Sequence, residues 1–303
     1  MKLGVIGGAG VMGSTAAYYA AMNNLVDEIV LYDLREDLAM SHAIDMDQGI
    51  CEISGTSVTA GDFDALKGSD IILNTAGVPE GSLATKDEYL IANTTIFKGI
   101  AEKIKTWGYY PVIITASNPC DVLSFKLYEY LGGPRERYLG FSYNDNLRLK
   151  WSAAIELGLS PSNVDGLVLG EHGDHKVFVF SSLKRKDTEE AIVLSDEQKE
   201  SVKARIRDWF NGMLALNQPR TMGWTSCIGL GMMIEAVATE SETIIPCSCI
   251  PDGEYGLNGV SLALPLKLGR EGLREIVDIS LDADEKTALD AASDKIKSLI
   301  GKA

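Results

Sequence analysis

Short apolar runs alternate with amphipathic stretches through the first half of the chain. The runs are rich in Ile, Leu and Val and are bounded by turn residues, which is typical of buried strands, while apolar residues recur at helical spacing between them. Strands are predicted at 2–6, 28–32, 70–75 and 112–115, and helices at 11–22, 36–47, 87–105 and 122–130. Strands that alternate with helices form βαβ units, and the right-handed crossover rule then gives an α/β fold with a doubly wound parallel sheet.

The second half has a different order of elements. A helix is predicted at 145–157, strands at 166–169 and 177–180, two long helices at 195–216 and 228–238, strands at 243–250 and 259–264, and a last helix at 284–300. This order is typical of an α+β domain. The sequence has no internal repeat and no low-complexity linker, so we predict two domains, 1–140 and 141–303, that pack directly against each other.

Composition and charge narrow the classes of function. The chain has 303 residues, of which 46% are hydrophobic and 23% charged, so it is long enough to bury a sizeable core. It has no run of about 18 apolar residues, which argues against a membrane span. A net charge of -15 opposes broad binding of nucleic acid or anionic lipid, so neither is an expected partner.

The cysteines indicate a cellular compartment. The chain has 5 of them, an odd number without the spacing of a disulfide framework, so we predict free thiols in a reducing cytoplasm. The apolar segment 2–21 is interrupted by glycines and follows no extended charged leader, which argues against a secretory signal. Cys247 and Cys249 lack two further ligands at zinc spacing, and we predict no metal site.

A glycine-rich motif follows the first predicted strand and opens the first predicted helix. Gly7, Gly10 and Gly13 give a G-x-x-G-x-x-G spacing within residues 7–13, which also include Val11 and Met12. Glycines let the backbone turn sharply and approach a pyrophosphate, and the helix N-terminus then offers free N–H groups to its charge. A strand, a turn and a helix are the context that a dinucleotide-binding motif requires.

An acidic residue ends the second predicted strand. Asp33 stands at a distance from the glycines where a carboxylate accepts hydrogen bonds from a ribose 2′-hydroxyl and repels a 2′-phosphate. This favours NAD over NADP as the cofactor, although Arg35, close by in the sequence, weakens the argument. The alternative is a glycine-rich turn and a surface aspartate in an α/β protein that binds no nucleotide.

Candidate catalytic groups lie mainly in the second half. His172, one of only 3 histidines, stands in a Gly-Glu-His-Gly-Asp segment after an apolar run, where it is well placed as a general acid or base. Asp145 and Arg148 share one helix face at i, i+3 spacing. Taken alone, that pair is typical of an exposed salt bridge, and a lone histidine is more often structural. Asn118 follows the strand 112–115, at the sheet edge where open α/β sheets bind ligands.

Together these motifs resemble the L-lactate/malate dehydrogenase family over nearly the whole chain. The shared motifs are residues 7–13, Asp33, Thr75-Ala76-Gly77-Val78-Pro79, Asn93, Ser117-Asn118-Pro119-Cys120-Asp121, Asp145-Asn146-Leu147-Arg148, Gly170-Glu171-His172-Gly173-Asp174 and Asp252-Gly253-Glu254-Tyr255-Gly256. The resemblance implies an NAD-dependent oxidoreductase with a Rossmann NAD domain followed by an α+β substrate domain. It also implies a small 2-hydroxy or 2-oxo acid as substrate and a homodimer or homotetramer as the assembly.

The resemblance implies a role for each matching position. His172 would accept the proton in alcohol oxidation and donate it in 2-oxo-acid reduction, and Asp145 would bind its other ring nitrogen and stabilise the imidazolium. Arg148 would bind the substrate carboxylate through its bidentate fork. Asn118 would contact the substrate oxygen and the nicotinamide ribose, and Asn93 would help to orient the substrate. The expected cofactor-binding residues are Gly7, Gly10, Val11, Met12, Gly13, Asp33, Ala76, Gly77, Asn93 and Asn118.

The loop after Val78 departs from the family pattern. At the position that reads the variable end of the substrate, malate enzymes carry arginine and lactate enzymes typically glutamine, whereas this chain has Glu80. At about 5 Å and an effective dielectric constant near 20, Glu80 would repel a second substrate carboxylate by roughly 3 kcal/mol. Lys86 replaces the arginine that polarises the reacting carbonyl, keeping the charge without the planar fork. The alternative is a solvated loop whose charges have no consequence.

These features favour a lactate-like monocarboxylate as the substrate. Thr225 supports this expectation, because its Gly-Trp-Thr segment resembles the Gly-Tyr-Thr of lactate-type enzymes. We expect the site at the domain junction, covered by the 79–92 loop. The alternatives are a malate dehydrogenase with Glu80 turned away, a catalytically impaired NAD-binding homologue, and an NAD-dependent glycosidase of related fold, for which no metal-binding cysteine–histidine pair is visible in the sequence.

Overall fold

The computed structural model of the protein describes residues 1–78, 85–216 and 223–303. The first half contains six strands and four helices within that described part. The strands are β1 (Lys2–Ile6), β2 (Glu28–Tyr32), β3 (Ser57–Ala60), β4 (Ile71–Asn74), β5 (Val112–Thr115) and β6 (Tyr138–Gly140). The helices are α1 (Val11–Met22), α2 (Glu36–Ile50), α3 (Lys86–Lys105) and α4 (Cys120–Leu131).

The strands of the first half form a parallel sheet in the order β3-β2-β1-β4-β5-β6. This is the strand order of a Rossmann fold, so the predicted doubly wound sheet is confirmed. The order reverses direction between β1 and β4, and the carboxyl ends of those two strands leave a crevice there. Open α/β sheets bind ligands in that crevice, which is where the glycine-rich motif lies.

The second half adds a mainly antiparallel set of strands and four more helices within the described residues. They are α5 (Tyr143–Leu157), β7 (Val164–Gly170), β8 (Lys176–Arg185), α6 (Asp196–Ala215), α7 (Trp224–Thr239), β9 (Ile245–Cys249), β10 (Leu262–Gly269), β11 (Gly272–Ile276) and α8 (Ala283–Ile300). The sheet continues from β6 through β9, β10 and β7 to β8, and β11 pairs with β10.

A single pair of residues joins the two halves of the sheet. Gly140, the last residue of β6, lies opposite Ser248 of β9 in antiparallel register. An added Cβ at Gly140 would lie 2.7 Å from the Cβ of Ser248, so the strands approach closely because this position has no side chain. The two halves therefore share one sheet, and the end of β6 is where the proposed boundary between 1–140 and 141–303 falls.

Three strands were not predicted from the sequence, and one was misplaced. The short strands β3 and β6 are held by pairing with strands distant in the sequence, a signal that their local sequences do not carry, whereas β11 forms a hairpin with β10, the strand just before it. The sequence predicted a strand at 259–264, whereas β10 runs through Pro265 to Gly269. Pro265 lies opposite Pro246, and two residues without N–H groups can share a non-hydrogen-bonded position of an antiparallel pair.

Helix α1 packs against α7 and brings the second half close to the glycine-rich motif. Its buried face consists of small residues, Gly13, Ala16, Ala17, Ala20 and Ala21, which allow close approach. The Sγ atom of Cys227 in α7 donates a hydrogen bond of 3.2 Å to the backbone oxygen of Thr15. Across the described residues, no helix is both long and apolar enough to cross a membrane.

Candidate active site

The glycine-rich motif forms a tight turn between β1 and α1. Gly7 has φ +88°, a conformation that L side chains rarely adopt, and an added Cβ there would lie 2.4 Å from Thr75 Oγ1. An added Cβ at Gly13 would lie 2.4 Å from the carbonyl oxygen of Gly7, and one at Gly10 would lie 3.2 Å from that same oxygen. Side chains at these positions would either occupy the space inside the glycine-rich turn or push that turn away from the start of α1.

The residues of this turn fit a dinucleotide. The first helical turn, at Val11, Met12 and Gly13, has N–H groups for which an α-helix offers no carbonyl partner, and the cap residue Gly10 supplies no side-chain acceptor. Exposed N–H groups at a helix N-terminus, beside backbone without side chains, suit a pyrophosphate. This observation agrees with the cofactor that the sequence predicts.

Asp33 is fixed beside the glycine-rich turn at the end of β2. Its Oδ2 accepts a hydrogen bond of 3.0 Å from the backbone N–H of Ala9, and its Oδ1 accepts one of 3.0 Å from the N–H of Arg35. The Nε of Arg35 lies 3.3 Å from the same Oδ1. The guanidinium therefore pairs with the carboxylate, and Asp33 keeps the position expected of a residue that binds the cofactor ribose.

Asn93 links the loops that follow β4 and β5. Its side chain is fully buried; Oδ1 accepts a hydrogen bond of 2.8 Å from Val78 N, and Nδ2 donates one of 2.9 Å to Asn118 O. An added Cβ at Gly77 would lie 3.2 Å from that Oδ1. Ser117 Oγ further donates to Ala76 O at 2.5 Å. Asn93 thus holds both predicted cofactor-contacting loops, while its contact with substrate stays a prediction.

His172 and Asp145 form a hydrogen-bonded pair. His172 Nδ1 lies 2.7 Å from Asp145 Oδ2, and the two side chains are 16% and 2% exposed. Asp145 belongs to the first turn of α5, and His172 follows Gly170, the last residue of β7, so a helix start and a strand end bring them together. A carboxylate accepts hydrogen bonds only, so the proton of the shared bond belongs to Nδ1 and Nε2 is left for a reacting group.

Two cations share the other oxygen of Asp145. Lys176 Nζ lies 2.9 Å from Oδ1, and Arg148 Nη1 lies 3.3 Å from it. Burial alone would raise the pKa of Asp145, but His172, Lys176 and Arg148 together hold it well below its usual range. Asp145 is therefore a permanent anion. Sequence reasoning placed Asp145 and Arg148 together but missed Lys176, whose only signal was its position four residues after His172.

The environment of His172 raises its affinity for a proton. Burial lowers the pKa of His172, but the Asp145 carboxylate and, after it, Asp121 more than offset this, while Lys176 opposes them. The pKa of His172 consequently lies above its ordinary value. The shift favours the protonated form of His172 more than in an ordinary histidine, and a general acid–base must both hold and release a proton.

Asp121 binds the backbone of His172. Its Oδ2 accepts a hydrogen bond of 2.8 Å from His172 N, and its Oδ1 accepts one from Ser248 Oγ. Burial raises the pKa of Asp121 to about 6, against the lowering effect of these two hydrogen bonds. The sequence analysis included Asp121 only as part of a motif. It did not predict that Asp121, which belongs to α4, would accept a hydrogen bond from the backbone of His172.

Arg148 is held by an aromatic ring. The centre of its guanidinium lies 4.6 Å from the ring centroid of Trp209 in α6, a distance typical of a cation–π contact. Within the described residues, its buried Nε has no hydrogen-bond partner. An unpaired buried donor carries a desolvation cost that an acceptor on a ligand would remove, so Arg148 suits an anionic group.

Three further residues predicted to contact the substrate are Glu80, Lys86 and Thr225. Glu80 belongs to residues 79–84, which lie outside the described residues. Lys86 is exposed as the first residue of α3, and Thr225 is exposed in the first turn of α7, beside Ser226, whose Oγ accepts a hydrogen bond of 2.9 Å from Asn144 Nδ2. No hydrogen bond or ion pair among the described residues joins Lys86 or Thr225 to His172.

Part of the predicted 79–92 loop is helical. Residues 86–92 belong to α3 and not to a 79–92 loop, because Thr85 and Glu88 form a capping box: Glu88 N donates to Thr85 Oγ1 at 3.1 Å, and Thr85 N donates to Glu88 Oε2 at 3.3 Å. The reciprocal bonds satisfy the first free donors of the helix and fix its start at Lys86.

Family models cover almost the whole chain. The model described as lactate/malate dehydrogenase, NAD binding domain, matches residues 1–140, and the one described as lactate/malate dehydrogenase, alpha/beta C-terminal domain, matches residues 144–303. The chain belongs to the lactate/malate dehydrogenase family. It is an NAD-dependent oxidoreductase, and the predicted family, fold, enzyme class and cofactor are confirmed.

Named relatives of this family member fall on both sides of the substrate division. Malate dehydrogenases from Halobacterium salinarum and Chloroherpeton thalassium are 32% and 33% identical to it, and the alignments cover 97% and 98% of this chain and 97% and 96% of theirs. A solved malate dehydrogenase from Salinibacter ruber has a TM-score of 0.90 at 29% identity and covers 100% of this chain and 97% of its own. A lactate dehydrogenase from a Medee basin deep-sea metagenome library has a TM-score of 0.89 at 25% identity, covering 99% and 98%.

Proposed function

We propose that this dehydrogenase interconverts an L-2-hydroxy acid and its 2-oxo acid, with His172 as the general acid–base and a lactate-like monocarboxylate as the preferred substrate. The observation that carries the chemistry is the pair of His172 Nδ1 and Asp145 Oδ2 at 2.7 Å. The observation that carries the preference is Glu80, at the position where malate enzymes have arginine.

The pair supplies and removes one proton. With Nδ1–H bound to Asp145, the Nε2 atom of His172 accepts the hydroxyl proton during alcohol oxidation and returns it to the oxo group during reduction. Asp145 stays ionised throughout and stabilises the imidazolium that forms. Asp121 keeps the backbone of His172 in place from the opposite side.

The substrate carboxylate would bind Arg148. Its guanidinium is planar and always charged, and the contact with Trp209 limits its rotation. A carboxylate at Arg148 would have to compete with Asp145, which lies 3.3 Å away but is already bound by Lys176 and His172. Arg148 can therefore release Asp145 without leaving that anion unpaired.

The cofactor would be held by the turn at residues 7–13 and by Asp33. When bound, NAD supplies the acceptor or donor of the hydride. The chain would bring the first-turn N–H groups of α1 to the pyrophosphate and the Asp33 carboxylate to the ribose hydroxyls. Asn118, exposed at the carboxyl end of β5, would contact substrate and nicotinamide ribose.

Malate and oxaloacetate are the second candidate pair of substrates. The names of the curated relatives at 32% and 33% identity favour them. Against them stands the repulsion that Glu80 would exert on a second carboxylate, roughly 3 kcal/mol or about a hundredfold in binding at close range. The side chain at position 80 thus distinguishes a monocarboxylate from malate or oxaloacetate as the substrate.

A panel of 2-oxo acids tests the preference. NADH oxidation would be measured with pyruvate, oxaloacetate, and branched-chain and aromatic analogues, with NADPH as the cofactor control. We expect higher kcat/KM for monocarboxylates in the wild type and a shift toward oxaloacetate in Glu80→Arg. Glu52→Arg, an equal charge change on an exposed residue away from the site, should leave the ratio unchanged.

The outcomes separate the candidates. A wild type that prefers oxaloacetate, or a Glu80→Arg variant with an unchanged ratio, would contradict the monocarboxylate proposal. His172→Asn should reduce turnover by about a thousandfold or more while NADH binding, measured by fluorescence, persists. Silence across the panel with NADH still bound would identify a catalytically impaired homologue.

We also propose a cytoplasmic homo-oligomer, a dimer or a tetramer. Free cysteines support the location, since the structure describes Cys51, Cys120, Cys227, Cys247 and Cys249 all as thiols. Exposed apolar side chains support the assembly. Tyr18 and Met22 of α1 are 38% and 40% exposed, and Met40 and Ile44 of α2 are 46% and 52% exposed. Each pair has i, i+4 spacing and so lies on one helix face.

A further inference from the structure

Lys176 contacts the catalytic pair in a way that the proposed roles do not use. It is the first residue of β8, and its Nζ lies 2.9 Å from Oδ1 of Asp145. The other oxygen of that carboxylate, Oδ2, binds His172 Nδ1. The 2% exposure of Asp145 means that few water molecules can replace a lost protein partner. A cation therefore occupies one oxygen while the imidazole occupies the other.

The charged groups around His172 come from several elements. α5 contributes Asp145 and Arg148, α4 contributes Asp121, and β8 contributes Lys176. The residues flanking His172 in sequence form their own pair, with Glu171 Oε2 3.0 Å from His175 Nδ1. Asp174 completes the set of charged neighbours in the sequence. Among these groups, Lys176 and Arg148 are the two cations that bind the same oxygen of Asp145.

The two cations have different constraints. Arg148 stacks on Trp209 and approaches Asp145 at 3.3 Å, and under the proposed function it turns to the substrate carboxylate. Lys176 approaches more closely, at 2.9 Å, and no bound substrate requires it to leave. When Arg148 binds substrate, Lys176 is the cation that remains on Oδ1.

We propose that Lys176 is a positioning residue of this dehydrogenase, whose ammonium holds Oδ1 of Asp145 so that Oδ2 faces His172 and the carboxylate divides its charge between the two. This inference rests on the proposed roles of His172 and Asp145. Lys176 acts through Asp145 and does not touch the reacting atoms. Its positive charge also repels the imidazolium, so it limits how strongly Asp145 retains the proton on His172.

Removing the charge of Lys176 should shift a pH profile in a defined direction. Without that cation, Asp145 binds the imidazolium more strongly, and the pKa of His172 rises further. Oxidation of the 2-hydroxy acid needs neutral His172, so its acid limb should move to higher pH by about 0.5–1 unit. Reduction needs the imidazolium, so its alkaline limb should move upward by a similar amount.

Four variants test the proposal. Lys176→Met and Lys176→Gln remove the charge, and Lys176→Arg keeps it and should restore the wild-type profile. Lys150→Met is the matched control, because Lys150 also pairs with an aspartate, at 2.7 Å from Asp165 Oδ1, without contacting the catalytic pair. Log kcat/KM would be measured against pH in both directions with the preferred substrate of the panel.

A second measurement needs no turnover. Only 3 histidines are present, so nitrogen-15 NMR of the imidazole rings can follow each of them in the cofactor-free enzyme, with His42→Gln and His175→Gln for assignment. The titration midpoint of His172 should rise in Lys176→Met and Lys176→Gln and stay unchanged in Lys150→Met. Lys176→Arg should give the wild-type midpoint.

The results distinguish failure of this inference from failure of the proposed function. A His172 midpoint unchanged in both neutral variants, or shifted equally by Lys150→Met, would overturn the role of Lys176. If His172→Asn kept wild-type turnover, the proposed function would fail even though the NMR shift were present. A shift by NMR together with a matching shift of the kinetic limbs would support both.

Discussion

Three side chains donate to the carboxylate of Asp145, and the division of its two oxygens decides what each partner contributes. Among the described residues, Oδ2 binds His172 only, whereas Oδ1 accepts from Lys176 and Arg148. An anion with this many donors stays ionised even though it is buried. A permanent anion then fixes the orientation of the imidazole, so the local charge arrangement leads directly to acid–base chemistry.

Trp209 should affect substrate binding through Arg148. Cation–π contacts of this geometry contribute about 0.5–2 kcal/mol, so Trp209→Leu should raise KM for the 2-oxo acid by about 2- to 30-fold with a smaller change in kcat. Trp209→Phe retains an aromatic face and should retain most of the affinity. Steady-state kinetics would show the split. Equal KM values in Trp209→Leu and wild type would show that stacking does not hold Arg148 for the substrate.

Asp121 should make the stability of the fold depend on pH. Its pKa is raised by burial to about 6 in the folded chain, whereas an unfolded aspartate titrates near pH 4. A raised pKa favours the folded state at low pH, and this contribution is lost as the pH rises from about 4 to 6. The loss amounts to about 3 kcal/mol.

An amide at this position removes the titration. Of the total of about 3 kcal/mol, about 2 kcal/mol should therefore appear as a change in the difference in unfolding free energy between wild type and Asp121→Asn from pH 4 to pH 6, with the wild type relatively more stable at the acidic end. Urea unfolding at several pH values measures it. Asp64→Asn, an exposed carboxylate, is the control. A difference that stays constant over this range would contradict the raised pKa.

The site consists mainly of residues at the ends of strands and helices. β1, β4 and β5 end beside the turn at residues 7–13 and at the loops with Gly77 and Asn118, while α5 begins at the catalytic carboxylate. Parallel strands with right-handed crossovers bring their carboxyl ends to one edge. Residues far apart in sequence meet there for that reason.

Gly13→Ala should damage the cofactor site. Its Cβ would lie 2.4 Å from the carbonyl oxygen of Gly7, so the first turn of α1 must move away from the turn that precedes it. We expect NADH to bind at least tenfold more weakly, measured by fluorescence titration. Gly49→Ala is the matched control, because Gly49 lies in α2 with no atom within 4 Å of an added Cβ. It should leave binding unchanged and stabilise the helix by about 0.5–1 kcal/mol. Equal NADH affinity in the two variants would contradict the prediction.

The exposed apolar faces of α1 and α2 concern the proposed assembly of the whole molecule. Exposing apolar side chains such as Met40 and Ile44 to water is unfavourable, and a second copy of the chain that covered them would remove this cost. Met40→Glu combined with Ile44→Glu should reduce the sedimentation coefficient by placing charges in that contact. Val193→Glu, at a residue 90% exposed in the second half, should not change it. An unchanged oligomer in the double variant would place the contact elsewhere.

Local signals in the sequence carried much of the fold. The bounds of α1, β1, β2 and β5 agree with prediction because hydrophobic period, glycines and turn residues act over a few positions. The strands β3 and β6 were missed because their formation depends on partners brought by the rest of the chain, and β11 was missed together with the part of β10 with which it forms a hairpin. The predicted strand at 259–264 ended before Pro265, whereas β10 continues through Pro265, which lies opposite Pro246.

By itself, the sequence determined the family, the glycine-rich turn and the chemical types of the site residues. Spacing within a strand–turn–helix unit, or at i, i+3 on one helix, fixes geometry through the backbone alone. Only the tertiary structure decided which groups share an oxygen or a face. Asp121 and Lys176 reach the catalytic pair from α4 and β8, and Trp209 reaches Arg148 from α6; these contacts depend on the packing of the sheet and its helices. Electrostatic coupling at 3–5 Å depends on such packing, and no local pattern in the chain encodes it.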